Sequence, residues 1–82
     1  MVLIFGIEID DRCADYLKLV VNYASSGNSN EQEVRRRALR NLSTNNCRRA
    51  LVYLIDRYAS SGNSNEQEVR RKAFDYLEDL DG

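Results

Sequence analysis

YASSGNSNEQEVRRRA, running from Tyr23 to Ala38, returns as YASSGNSNEQEVRRKA from Tyr58 to Ala73, thirty-five residues on. The two copies differ only where Arg37 faces Lys72. Self-similarity at a fixed period of this size signals a helical repeat, in which one supersecondary unit stacks on the next. The phrase itself reads as a helix end, a tight turn and a helix start. At the same offset Tyr16 aligns with Leu51, Leu17 with Val52, Leu19 with Leu54, Val20 with Ile55 and Leu42 with Leu77. Apolar positions therefore map onto apolar positions outside the shared phrase, which makes the repeat structural.

Working outward, the first helix begins after a cap at Asp10 or Asp11, with carboxylates in the favourable first turn. It runs to about residue 25, and Cys13, Leu17, Val20 and Ala24 share its inner face. Gly27 is expected to stop it in a left-handed conformation. Asn30 followed by Glu33 resembles a capping box for a second helix over 31–43, with Val34, Ala38, Leu39 and Leu42 inward. Arg35, Arg36, Arg37 and Arg40 are assigned to its outer face. The third helix, about 46–60, is the most apolar, and the fourth, 66–81, carries Val69, Ala73, Tyr76, Leu77 and Leu80 in one stripe.

Ahead of the helices, Val2 to Ile9 reads as one β-strand. Leu3, Phe5, Ile7 and Ile9 lie on one face, and Val2 and Ile4 make the start of the other apolar as well. No later stretch reads as its partner, and a lone apolar strand attracts one. Pairing with another chain, most simply a second copy, is the leading expectation. A partner's edge strand and an arm folded over the chain's own helices are the alternatives. The expected order is thus β-α-α-α-α, a mostly α single domain divided into a strand (1–10), a first unit (11–44) and a second unit (45–82).

Composition narrows the chemistry. The 82 residues have a net charge of −1, no histidine, no proline and no tryptophan. The commonest general base and metal ligand is absent, so neither an enzyme, a metal site nor a cofactor is expected. MVLIFGI lacks a basic flank and is too short for a signal peptide or a membrane span, which makes a cytosolic setting without membrane contact the default. Cys13 and Cys47 each open equivalent helices of adjacent units, whose first turns are neighbours in a stack. They admit either a disulfide closing a long loop or two buried thiols, with the reducing cytosol favouring thiols. Six arginines without an intervening acid, among them Arg35, Arg36, Arg40, Arg48 and Arg49, could grip phosphates. No aromatic residues interleave with them, and nearby Glu31 and Glu33 suit a solvated face laced with ion pairs, so nucleic acid is not the expected partner. Asp10–Asp11 and Asp79–Asp81 are explained by capping and solubility, and the five tyrosines by core or interface packing.

NEQEVRRRALRNLS and NEQEVRRKAFDYLED, with ALVYLIDRYASSGN ahead of the latter, resemble the two-helix units of HEAT and armadillo repeats over roughly residues 13 to 80. The period is shorter, the units are two, and a strand precedes them. Letter-identical connectors with strong caps resemble those of computationally designed helical repeat proteins. The resemblance implies a stacked scaffold whose function is to bind or assemble.

Overall fold

A computed structural model describes all residues, 1–82. Two short strands, β1 (Val2–Ile4) and β2 (Ile7–Ile9), precede four helices: α1 (Asp11–Tyr23), α2 (Ser29–Thr44), α3 (Arg48–Arg57) and α4 (Ser64–Asp81). Within each unit α1 packs on α2 and α3 on α4. Between units α2 packs on α3 and α4, and α1 on α3. The hairpin lies across α1 and α3 through β1 and β2 respectively. The fold is mostly α, as the sequence implies, and Leu17, Val20, Leu42, Leu51, Leu54 and Val69 fill the core between the units.

The expected single strand is a hairpin. Val2 pairs with Ile9, Leu3 with Glu8 and Ile4 with Ile7, around a two-residue turn at Phe5 and Gly6. Both turn residues have positive φ, 52° and 83°. That is the turn whose twist matches antiparallel strands, and it normally takes asparagine and glycine. Phenylalanine in the first position hides the signal, and an apolar run on either side completes the disguise. The fold-back also changes the faces. Ile9 is buried and Ile4 and Ile7 are half-buried, whereas Leu3 and Phe5 are not part of the core.

The repeated phrase is a connector closed by side-chain hydrogen bonds that recur in both copies. Asn28 caps α2 by accepting from the amides of Asn30 and Glu31, and Asn63 does the same for Asn65 and Glu66. The cap thus lies two residues before the expected Asn30. The Ser26 hydroxyl accepts from the Asn28 amide and donates to Glu31, a pattern repeated by Ser61, Asn63 and Glu66. The side-chain amides of Gln32 and Gln67 donate to the carbonyls of Ser26 and Ser61.

The end of α1 differs from expectation in kind. Gly27 is not left-handed. The terminal carbonyls that a glycine cap would reorganise are met instead by Arg35, whose Nη1 donates to Tyr23 at 2.9 Å, Ala24 at 3.3 Å and Ser26 at 3.4 Å. In the second unit Arg70 reaches Tyr58 and Ala59 at 3.0 and 3.1 Å. A cation at a helix C-terminus complements both the dipole and the orphan carbonyls. A left-handed residue does end α2, where Asn46 has φ 56° and the Asn46 and Cys47 amides reach back to Ser43 and Leu42.

Arg35 is buried and Arg70 only partly so, which sets a graded expectation. Arg35→Ala should destabilise the protein by about 3 kcal/mol, because the carbonyls of Tyr23, Ala24 and Ser26 lose their charged donor out of reach of water. Arg70→Ala should lower it by about 1–2 kcal/mol, since water reaches the vacated carbonyls. Urea unfolding followed by circular dichroism measures both. Equal losses would mean that burial does not weight these contacts.

Candidate interaction surface

The hairpin presents backbone groups as well as apolar side chains. Ile4 and Ile7 flank the two-residue turn and form a hydrogen-bonded pair, so the next pair, Leu3 with Glu8, points its N–H and C=O groups outward. On the β2 side the Glu8 carbonyl accepts from Arg49 at 3.3 Å. On the β1 side Leu3 is left with an open edge, and its side chain is 72% exposed. Met1, Val2 and Phe5 are exposed around it. Below this edge, over α1, a cleft is lined by Ile4, Asp11, Ala14, Asp15 and Lys18.

The turn is fastened to α3 by aromatic contacts. Phe5 stacks on Tyr53 with ring centres 5.3 Å apart and planes 10° from parallel. The Arg57 guanidinium lies 5.7 Å from Phe5, 5.8 Å from Tyr53 and 5.7 Å from Tyr58, and donates to the Tyr53 hydroxyl. A bulky residue at positive φ is strained, and this stack is what offsets it. Burial raises the Tyr58 phenol above its usual range despite the neighbouring arginine. Of the residues assigned to a strand interface, Val2, Leu3 and Phe5 remain accessible, while Ile4, Ile7 and Ile9 pack down onto the helices.

The arginines do not form one anion-binding face. Arg35 is buried at the end of α1 and lies 3.6 Å from Glu68. Arg36 holds Glu68 through two contacts, Nε to Oε2 at 2.8 Å and Nη2 to Oε1 at 3.0 Å, bridging α2 to α4. Arg48 pairs with Asp81, fastening the start of α3 to the end of α4. Arg49 reaches from α3 to the hairpin, and Arg40 alone of the five makes no ion pair or side-chain hydrogen bond. The outer-face assignment of Arg35 is therefore corrected, because periodicity cannot distinguish a solvated arginine from one recruited by a helix end.

Cys13 and Cys47 are joined in a disulfide, with Cα atoms 5.7 Å apart. Asp10 caps α1 by accepting from the Cys13 amide at 2.9 Å, and Cys47 is the residue before α3. The bond thus staples the first turns of the two equivalent helices. No group of three or more His, Cys, Asp or Glu side chains is gathered in a position to hold a metal ion. No helix is long and apolar enough to cross a membrane. Comparison with protein-family models, curated proteins and solved structures finds no match to this chain.

Two outcomes follow from this geometry. Joint substitution Cys13→Ser/Cys47→Ser should lower the unfolding free energy by about 3–4 kcal/mol, because the unfolded chain regains the freedom of the closed loop. Denaturant unfolding measures this, and a shift below about 1 kcal/mol would mean that the unfolded chain is already constrained near the native separation. The second concerns pH. The hydrogen bonds and charge of Arg36 hold the Glu68 carboxyl below the ordinary glutamate range. A depressed folded-state pKa contributes stability that is present above the unfolded value and lost as pH falls through the folded one. Glu68→Gln should therefore remove that stability at neutral pH and flatten the acid limb of a melting-temperature profile between the two values. An acid limb unchanged by the substitution would assign the pH dependence to other carboxylates.

Proposed function

We infer that the protein is a non-enzymatic assembly scaffold, a two-unit helical repeat of designed type that self-associates through its N-terminal β element. The observation that carries this reading is the unsatisfied outer edge of β1, with Leu3 exposed at its centre and Met1, Val2 and Phe5 around it. Unpaired edges with apolar side chains are templates for another strand. In a symmetric dimer, Leu3 of one copy would oppose Leu3 of the other in antiparallel pairing, exchanging two backbone hydrogen bonds and joining two hairpins into a four-stranded sheet. The ladder is short, so most of the association free energy would come from burying apolar side chains at the junction.

The expectation of a single strand pairing with another chain, most simply a second copy, is narrowed to the outer edge of β1, since β1 and β2 already satisfy each other along one side. Capture of a partner's edge strand would use the same β1 edge and differs only in its occupant. Phosphate binding is disfavoured by the commitment of Arg35, Arg36, Arg48 and Arg49 to contacts within the chain.

Light scattering behind size exclusion tests the reading. The unmodified chain should show a dimer mass at micromolar concentration, and Leu3→Lys should return it to a monomer with an unchanged circular dichroism spectrum, because Leu3 lies outside the core. A monomer in both samples would overturn symmetric pairing and leave the edge to a heterologous strand.

A further inference from the structure

The internal junction between the two units exposes, at the two ends of the stack, the halves of a contact that the chain has already made once. Residues thirty-five apart occupy opposite environments. Leu39 is 3% exposed because the second unit covers it, whereas its equivalent Phe74 is 50% exposed. Val69 is 1% exposed because it faces the first unit, whereas its equivalent Val34 is 41% exposed. Repeat arrays require polar terminal faces to remain separate, yet this chain keeps Phe74 at one end and Val34 at the other.

The polar contacts follow the same arrangement. Across the internal junction Gln32 donates to Asn65 at 3.1 Å and Arg36 grips Glu68. The equivalents at the open ends are Gln67 and Arg71 on α4, and Asn30 and Glu33 on α2. Arg71 makes no ion pair, and Glu33 has only an exposed partner one turn away, Arg37 at 3.7 Å. One end thus offers a free cation beside an apolar ring, and the other a carboxylate beside Val34. Opposite charges at these two positions would attract where like ones would repel.

We propose that copies of this chain stack end to end, the α3–α4 face of one on the α1–α2 face of the next, repeating the contact between its own units. Arg71 then meets Glu33 of the neighbour, Gln67 meets Asn30, and Phe74 and Val34 are covered together. The contact is head to tail, so each addition leaves both ends available and the assembly grows without a fixed size. It is weaker than the internal junction. Asn41 stands at the position of Tyr76, Asp15 at that of Ala50, and Arg12 and Arg48 at those of the cysteines. The stack is therefore reversible and carries no covalent staple.

Sedimentation equilibrium of the full chain over a concentration series distinguishes this growth from hairpin pairing, which stops at two. At micromolar concentration, where the weaker stack is dissociated, the mass should be that of the hairpin dimer, and at higher concentration the mean mass should rise steadily beyond it. Arg71→Glu and Glu33→Arg should each raise the concentration needed for a given mean mass by about tenfold, because each replaces an attraction between opposite charges with a repulsion between like ones. The doubly swapped chain, Arg71→Glu/Glu33→Arg, should recover most of the growth, and Phe74→Lys should abolish it with the circular dichroism spectrum unchanged. A mass that stays at one or two copies, or that is insensitive to Phe74→Lys, would overturn end-to-end stacking. A plateau at two that Leu3→Lys removes would do so while leaving the hairpin reading intact. The converse, growth that survives Leu3→Lys, would separate the two readings in the other direction.

Discussion

Where each helical unit turns, the helix that ends leaves its last carbonyls without amide partners, and every other feature of the stack depends on how they are met. A guanidinium from the first half of the following helix meets them, Arg35 in one unit and Arg70 in the other. Because that arginine is fixed to its own helix, satisfying the carbonyls also sets the angle and distance between the two helices. The turn between them then needs only small polar residues to close its remaining bonds, which Ser26, Asn28 and Gln32 supply. This accounts for letter identity in the connector while the flanking helices drift. Replacing Ser26, Asn28, Glu31, Gln32 or Arg35 opens a hydrogen bond, whereas a change of one buried apolar side chain for another of similar size is tolerated.

The glutamate at position 68 shows how the same logic passes between units. It receives Arg36 in a forked contact and lies near the buried Arg35, so the residue that ends α1 is also drawn toward α4. Helix termination and unit stacking are thereby coupled through neighbouring arginines of one helix. In the second unit the coupled partner is absent, and Arg70 is correspondingly more exposed.

Much of this was legible in the residues alone. The thirty-five-residue offset located four helices and their order, and apolar spacing found nearly all of the core. What it could not resolve shares a physical cause. A hairpin within Val2–Ile9 requires two consecutive residues at positive φ, and Phe5 is a residue type that avoids that region unless something outside the run holds it. The Tyr53 ring and the Arg57 guanidinium, both distant in sequence, hold it there. Polarity within a helical period ordinarily means solvent, which points Arg35 outward, and the pattern offers Gly27 for the role that Arg35 performs. The repeat makes the cysteines neighbours, but pairing depends on the rotation of two helices about their axes, which sequence does not state. In each case a local rule was overridden by a partner many residues away.

The disulfide has a mechanical consequence. It joins residues 34 apart, Cys13 and Cys47, at the bases of parallel equivalent helices. If the molecule is pulled from its ends, tension passes from the hairpin through the sulfur bridge directly into α3 and bypasses α1 and α2. Roughly 120 Å of extended chain is thereby withheld from the force for as long as the bridge stands. A line of such molecules would yield first in the hairpin and the second unit, while the first remained slack. Reduction would release the withheld length, so the extensibility of the chain is set by the redox state of its surroundings.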